Sequence, residues 1–247
     1  MTPDTVDGRE FVFKVRHKLS WLLIPPGNFV FRWRMVSVRV LTNRQWKAWE
    51  RTVVPFDLPD KEASPGTLAM ANVHGRPLAQ LLNEEQRKPQ KLALVSEAVS
   101  ALHQFHQQVR EVPDFGAIRL SHGDATTRNV MIDADARKAT WFDFDLRHDL
   151  TISATMRHAD DLRAILFSAA HYFPAQDLPD LVHVARQAYD EPKTWLELTR
   201  QVNSRWFSVD LFHLAHTRPP SSTSDQPSSQ GADRAKERIL IRTIGES

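Results

Sequence analysis

The sequence predicts an α+β chain with two lobes, a strand-rich one followed by a mainly helical one that carries an inserted hairpin. Three observations predict it. Residues 11–41 are rich in Val, Phe and Trp and alternate in places with a period of two. From Leu78 onward the apolar spacing turns helical. Residues 130–146 then return to strand, Val130 to Ile132 and Ala139 to Phe144 on either side of an Asp133-Ala134-Asp135-Ala136 turn.

The elements follow in order. Phe11, Phe13 and Val15 fall on one face of an alternating stretch from Glu10 to His17. Pro25-Pro26-Gly27-Asn28 is a turn signal. Val36, Val38 and Val40 alternate against Ser37, Arg39 and Leu41, which reads as a second strand. Thr42 or Asn43 can cap a helix from Arg44 to Val54. Pro55, Pro59 and Pro65 mark a loop, and Thr67 to Val73 reads as a further strand closed by Gly75-Arg76-Pro77. Leu78 to Leu82 begins a short helix. Leu94, Val95, Ala98, Leu102 and Phe105 give residues 90–109 a helical stripe. Helices are also expected over 158–170, 178–190 and 192–213. Residues 217–231 hold Pro- and Ser-rich clusters without a large apolar residue and read as a disordered linker, with one short helix in the tail 232–247. The expected divisions are therefore 1–74, 75–216 and a disordered linker and tail over 217–247.

Composition narrows the function classes. The chain has 247 residues, 41% of them hydrophobic and 25% charged, so it can bury a core. It has no cysteine, which excludes disulfides, thiolate metal sites and a cysteine nucleophile. Met1 to Glu10 is polar and acidic, unlike a signal peptide. The longest apolar stretch, Trp21 to Phe31, is broken by the Pro-Pro-Gly-Asn turn and falls short of the roughly 20 residues of a membrane helix. These features lead us to expect a cytoplasmic protein. None of the 8 glycines forms a G-x-G pair, so a Rossmann fingerprint and a P-loop are excluded. Charge is uneven. Residues 11–51 carry nine Lys and Arg against Glu50 alone, a local balance of +8 in a chain of net +2. Trp21, Trp33, Trp46 and Trp49 lie in the same stretch. This asymmetry points to an anionic partner, and we expect peripheral contact with the inner face of an anionic membrane rather than with nucleic acid.

The most informative segment runs from Leu120 to Ile132, LSHGDATTRNVMI, and is followed by Phe142-Asp143-Phe144-Asp145. Asp124 and Asn129 stand five apart in a loop that enters a strand, and Asp143 comes 14 residues after Asn129 at the far end of the hairpin. A hairpin returns its second strand beside its first, so Asn129 and Asp143 should meet at one edge with Asp124 just upstream. Hard oxygen ligands of this kind suit Mg²⁺ bound together with substrate phosphates. Asp124 is then left to accept a proton from a hydroxyl.

This pattern resembles the protein-kinase-like superfamily, whose members carry H-R-D-x-x-x-x-N followed by a metal-binding aspartate. His122, Asp124, Asn129 and Asp143 match it at the right spacing. The H-G-D variant with D-F-D is similar to the small-molecule branch, which includes aminoglycoside and choline phosphotransferases and the Kdo and heptose kinases of lipopolysaccharide. Residues 67–82 look like that branch's hinge strand and the turn after it. His158-Ala-Asp-Asp161-Leu162 resembles the helix whose aspartate braces the catalytic loop. The resemblance covers residues 10–215 and implies a bilobal protein-kinase-like fold, with a nucleotide-covering N-lobe and a C-lobe holding the catalytic loop and acceptor site. It implies ATP and Mg²⁺ as cofactors and a hydroxyl acceptor on a sugar or glycolipid such as lipopolysaccharide core.

By that resemblance Asp124 is the catalytic base, and Asn129 and Asp143 are metal ligands. Arg128 touches the transferring phosphoryl group, His122 holds the loop and Asp161 braces it. Asp145 reads either as a second metal ligand or as a helix-capping acid. There is no Gly-rich loop. Two residues compete as the phosphate anchor paired to Glu50. Arg39 lies on the strand just before the Glu50 helix and is favoured by connection order; Lys14 is favoured by residue type. Asp133 and Asp135 read as turn residues, and His103 and His106 as partly buried histidines. Two other functions fit parts of the pattern. The absent Gly-rich loop would suit a pseudokinase acting as a binding module, although Asp124, Asn129 and Asp143 are all present. His122, His148-Asp149 and Asp160 would suit a metal-dependent phosphohydrolase, whose metal site sits on helices and not beside a hairpin.

Overall fold

A computed structural model of the chain describes residues 4–6, 9–15, 36–54, 67–133, 135, 137–204 and 228–246. Among these residues the protein is a mixed α+β structure of seven α-helices and small antiparallel sheets. The Pro-Pro-Gly-Asn turn, the Pro55–Pro65 loop, the linker 217–227 and the end of the helix expected over 192–213 lie outside the described residues.

Strands β1 (Asp4–Val6), β2 (Arg9–Val15) and β4 (Thr67–Ala71) form one sheet, with Phe11 opposite Ala71 and Lys14 opposite Leu68. Strand β3 (Val38–Val40) is not part of it. It pairs with β10 (Leu146–His148), a strand that the sequence pattern did not announce, and the register sets Arg39 against Arg147. Helix α1 (Asn43–Val53) starts where expected. Thr42 caps it through a reciprocal pair of bonds with Gln45, and Trp46, Trp49, Glu50 and Val53 face inward.

Strand β5 (Arg76–Pro77) leads into α2 (Leu78–Glu84) and pairs with β8 (Val130–Asp133), which pairs in turn with β9 (Lys138–Trp141). Gly75 precedes β5 at φ +113°, where a side chain would place its Cβ 2.4 Å from the Ile132 carbonyl oxygen. The turn between β8 and β9 is closed by Asp133, whose Oδ1 accepts from the Asp135 amide at 3.1 Å. A second short hairpin joins β6 (Val109–Val112) to β7 (Gly116–Arg119).

The core lies between α3 (Lys88–Gln107) and α4 (Ala154–Ala170). Helix α3 buries Val95, Ala98, Val99, Leu102, Phe105 and His106, a single helical stripe. Helix α4 is buried at every residue from Arg157 to Ala170, so it is surrounded by the rest of the chain. Four charged residues, Arg157, Asp160, Asp161 and Arg163, lie inside that buried span, and each must be compensated. Helices α5 (Leu178–Ala188) and α6 (Pro192–Val202) pack against α3 and α4 respectively.

The short helix expected in the tail 232–247 is present and is longer than expected. Residues 228–246 form one helix, α7, that packs on α5 and α6 and buries Leu240 and Ile244. Thr199 Oγ1 donates to the Ile244 carbonyl at 3.2 Å. The apolar residues Ile239, Leu240, Ile241 and Ile244 explain the docking. Truncating a fully buried leucine leaves a cavity, so Leu240→Ala should cost about 2–4 kcal/mol in urea denaturation. A stability unchanged within about 0.5 kcal/mol would mean that the tail does not dock in solution.

Candidate active site

The loop from Leu120 to Asn129 connects β7 to β8, and α4 holds it from beneath at two points. Near its start, Asp161 Oδ2 accepts from the His122 amide at 2.7 Å and Oδ1 from the Gly123 amide at 2.8 Å. Seven residues along the helix, Ser168 Oγ accepts from the Thr127 amide at 3.1 Å. Two helical turns separate the two acceptors, so one face of α4 sets the span of the loop. Gly123 has φ +88°, and a Cβ there would lie 3.1 Å from the Leu146 carbonyl oxygen. The H-G-D variant therefore has a local cause: the chain turns too close to β10 for a side chain.

His122 is fully buried. Its Nδ1 accepts from the Asp124 amide at 3.2 Å, so the proton is on Nε2, which donates to the Phe142 carbonyl at 2.9 Å. The ring lies against Phe144 and edge-on to Trp141, with centroids 4.6 and 5.3 Å away. With both nitrogens in such contacts and no exposure, His122 ties the two loops together.

Asn129 is buried, and its Nδ2 donates to both the backbone carbonyl and the Oδ2 of Asp124, at 2.8 and 2.9 Å. A flipped amide would set oxygen against two oxygens, so the orientation is fixed. Its backbone carbonyl accepts from the Phe142 amide at 3.1 Å, one step beyond the Val130–Trp141 pair of the hairpin. Asp143 is the next residue and is partly buried at φ +68°, a conformation uncommon for a residue with a side chain. Asp145 is partly buried and Arg128 exposed. Strand β10 begins at Leu146, so there is no helix for Asp145 to cap.

The donor set fits a divalent cation. The Asn129 amide spends its N–H groups on Asp124, which leaves Oδ1 as its acceptor; Asp143 follows the Phe142 amide that bonds the Asn129 carbonyl, and the oxygens of both side chains are hard ligands. Among the described residues no group of three or more His, Asp and Glu is placed to hold a metal by itself. A Mg²⁺ site here would thus draw its remaining ligands from phosphates and water.

The expected anchor needs correction. Arg39 does not meet Glu50. It extends from the β3–β10 ribbon to Asp149, with Nη2 2.7 Å from Oδ2. Glu50 is fully buried and accepts from Trp46 Nε1 at 3.1 Å and from the Phe144 amide at 3.3 Å. The reason is topological: β3 follows the ribbon to β10 and never enters the sheet of β2 and β4. Lys14 does lie in that sheet, on the strand beside β4. The grouping behind the phosphohydrolase reading is also taken apart. His148 Nε2 is bonded to Asp160 Oδ2 at 3.1 Å with both side chains buried, Asp149 is engaged with Arg39, and the hairpin occupies 130–141.

Several supporting residues escaped the sequence reading. His106 was expected to be a partly buried histidine. It is fully buried, with Nε2 3.0 Å from Asp161 Oδ2 and Nδ1 2.7 Å from the Tyr189 hydroxyl. His158 donates to the Leu120 carbonyl at 2.9 Å and stacks on His106 at 4.0 Å. Arg157 donates to Ser121 Oγ at 2.7 Å and to the Arg119 carbonyl at 3.1 Å. His106 lies on the apolar stripe of α3, and that position was its one available signal. Ser168 and Arg157 carried none, because their partners are backbone groups of a distant loop. No protein-family model matches this chain, and no curated protein matches it.

Burial pushes the His158 imidazole down to about 2 and holds His106 well below its ordinary value. Both are neutral in the folded chain, whereas unfolded histidine titrates near 6.5. Below that pH the unfolded state binds more protons than the folded one. The stability contribution is therefore complete above about pH 6.5 and is lost as pH falls, by up to about 1.4 kcal/mol per pH unit for each histidine. Urea denaturation at pH 7.5 and pH 5.5 should show this loss, and His158→Gln should shrink it. Equal stability at both values would contradict the neutral buried pair.

Proposed function

We propose that the chain is an ATP- and Mg²⁺-dependent phosphotransferase of bilobal, protein-kinase-like architecture. It would move the γ-phosphoryl group to a hydroxyl on a sugar or glycolipid of the lipopolysaccharide-core kind. The observation that carries the reading is the Asn129 amide oriented on Asp124, in a loop fixed by α4 and bonded through its backbone to the segment that carries Asp143. In this reading residues 1–74 cover the nucleotide, and residues from 75 onward supply the catalytic loop and acceptor site.

Each residue has a role its chemistry allows. Asp124 takes the proton of the acceptor hydroxyl as that oxygen bonds to phosphorus and the bond to the departing ADP oxygen breaks. Asn129 Oδ1 and Asp143 would hold Mg²⁺, with Asp145 as a further ligand. The cation supplies charge neutralisation on the phosphate oxygens. Arg128 contributes positive charge to the transferring group. Glu50 fixes the Phe144 amide next to Asp143, which is positioning and not phosphate anchoring. Lys14 replaces Arg39 as the proposed anchor, because its strand adjoins β4, the strand that leads to the catalytic half. A pseudokinase module remains the second reading, favoured by the absence of a Gly-rich loop.

Thermal shift with ATP, with and without Mg²⁺, tests the proposal. At 100 times Kd the wild type should gain about 2.7 kcal/mol. Asp143→Ala should lose the Mg²⁺-dependent part, and Lys14→Ala should weaken ATP more than Arg39→Ala. Asp124→Asn should leave binding intact and lower kcat about 10²- to 10⁴-fold. Binding without turnover of any hydroxyl acceptor would select the pseudokinase reading, and no response to ATP would reject both.

The membrane contact is proposed on the charge of residues 11–51. In α1, Arg44 and Arg51 are exposed while Trp46 and Trp49 are buried, so contact through this helix is electrostatic. Each basic residue near an anionic bilayer contributes about 1 kcal/mol. Co-sedimentation should occur with anionic vesicles, fail with neutral ones and weaken with salt. Equal recovery with both at low salt would point to a soluble acceptor.

A further inference from the structure

We propose that Tyr189 is a positioning residue for this site: its hydroxyl decides which nitrogen of His106 carries the proton, and through Asp161 it fixes the backbone that presents Asp124. The inference begins with the needs of Asp161. This carboxylate is buried and accepts from the His122 and Gly123 amides. Its third partner is His106 Nε2 at 3.0 Å. A carboxylate only accepts, so Nε2 must bear hydrogen.

Neutral imidazole has one N–H. With the proton on Nε2, Nδ1 is a bare acceptor in the protein interior and needs a donor. The Tyr189 hydroxyl stands 2.7 Å from it and is fully buried. Burial keeps the phenol protonated by raising its pKa, and the neighbouring Glu191 adds to that. The bond therefore runs from Tyr189 Oη–H to Nδ1, and from Nε2–H to Asp161.

The competing arrangement is specific. Glu191 and Thr194 also lie beside the phenol, and Thr194 Oγ1 donates to Glu191 Oε2 at 2.9 Å. If Tyr189 gave its proton to them, His106 would donate from Nδ1 and turn a bare Nε2 toward a carboxylate. His158, stacked on the same ring, is itself neutral and offers no proton. Burial, with the positive potential of Arg157 added to it, further disfavours a doubly protonated ring.

Tyr189 is well placed for this role. It follows α5 directly, its amide donates to the Ala185 carbonyl at 2.9 Å, and its own carbonyl accepts from Trp195 Nε1 of α6 at 2.7 Å. The phenol is thus fixed by both helices, and their placement is passed through His106 and Asp161 to the loop. The sequence gives Tyr189 no motif; only the fold brings it to His106, 83 positions away.

The consequence for turnover rests on the phosphotransfer reading, whereas the tautomer does not. The test is long-range ¹H–¹⁵N correlation of the histidine side chains in the full chain, combined with amide hydrogen exchange. In the wild type, His106 should be protonated on Nε2 alone. Tyr189→Phe should give a mixture of tautomers and at least tenfold faster exchange at the His122 and Gly123 amides, while the amides of α5 stay protected. With Mg-ATP, kcat should fall about 10- to 100-fold and KM should stay the same. A wild-type His106 protonated on Nδ1, or on both nitrogens, overturns the proposal even if the variant does not fold. An unchanged tautomer and unchanged exchange in Tyr189→Phe overturn it as well. A scrambled tautomer with undiminished turnover reduces Tyr189 to a structural residue. If the wild type turns over no Mg-ATP, the phosphotransfer reading fails, and the tautomer and exchange results still decide the case of Tyr189.

Discussion

A single buried carboxylate organises the middle of this protein. Asp161 sits on a helix with no solvent-facing side from Arg157 to Ala170, and an unpartnered charge there would be very costly. It is tolerated because two successive backbone amides and one imidazole converge on it. The dependence runs in both directions. Without Asp161 the His122 and Gly123 amides would be buried donors with nothing to bond, and the turn that Gly123 makes against β10 would lose its support. With Asp161 in place, the next residue, Asp124, has little freedom left in its backbone. What lies beyond it, the Asn129 amide and the hairpin edge, is built outward from that fixed point.

Helix α1 reaches the same point from the opposite side. Glu50 is a second buried carboxylate, and it takes the amide of Phe144, the residue after Asp143. Phe144 in turn lies between His122 and Phe105, with ring centroids 4.6 and 5.4 Å away. The segment carrying Asp143 is therefore gripped through its backbone by α1 and through a side chain by the loop histidine. Two acids from different helices each fix one of the two segments whose oxygens would share a cation. His122 joins the two segments, since it bonds the Asp124 amide and the Phe142 carbonyl and packs on Phe144, so the supports of Asp124 and Asp143 are coupled.

Sequence made most of the helical half readable, and the reason is periodicity. The apolar stripe of α3, the Thr42 cap of α1 and the turn at Asp133–Asp135 are local signals, and local signals survive folding. That Asn129 and the residue before Asp143 meet at one edge of the hairpin could be read from fixed spacing and hairpin geometry, which are also short-range. What could not be read is what depends on distant pairing. Strand β3 looked like the lysine-bearing strand because it precedes α1, yet its partner is β10, more than a hundred positions away in the Arg39–Asp149 contact. Ser168, Arg157 and Tyr189 are recognised only by what they touch. The length and docking of helix α7 were not legible for a different reason: its apolar residues are clustered near its end, after a long polar stretch, and α5 and α6 supply the surface they cover.

Both segments of the candidate site contain a residue at positive φ. Gly123 and Asp143 are both held at positive φ, within one loop and one hairpin end of each other. For Asp143 this costs on the order of 1 kcal/mol or more, and Asp114 and Arg137 adopt the same region in the turns of the two hairpins. Around the same few residues the protein also buries four histidines, His106, His122, His148 and His158, together with Asp160 and Asp161. Each of these groups is more expensive than the apolar residue that could fill its space. In the loop joining β7 to β8 an amide is turned to orient a carboxylate and Asp161 holds the backbone, and in the segment between β9 and β10 Glu50 does the same. Together they fix the backbone on either side of Asp124 and before Asp143 and turn the Asn129 amide onto Asp124.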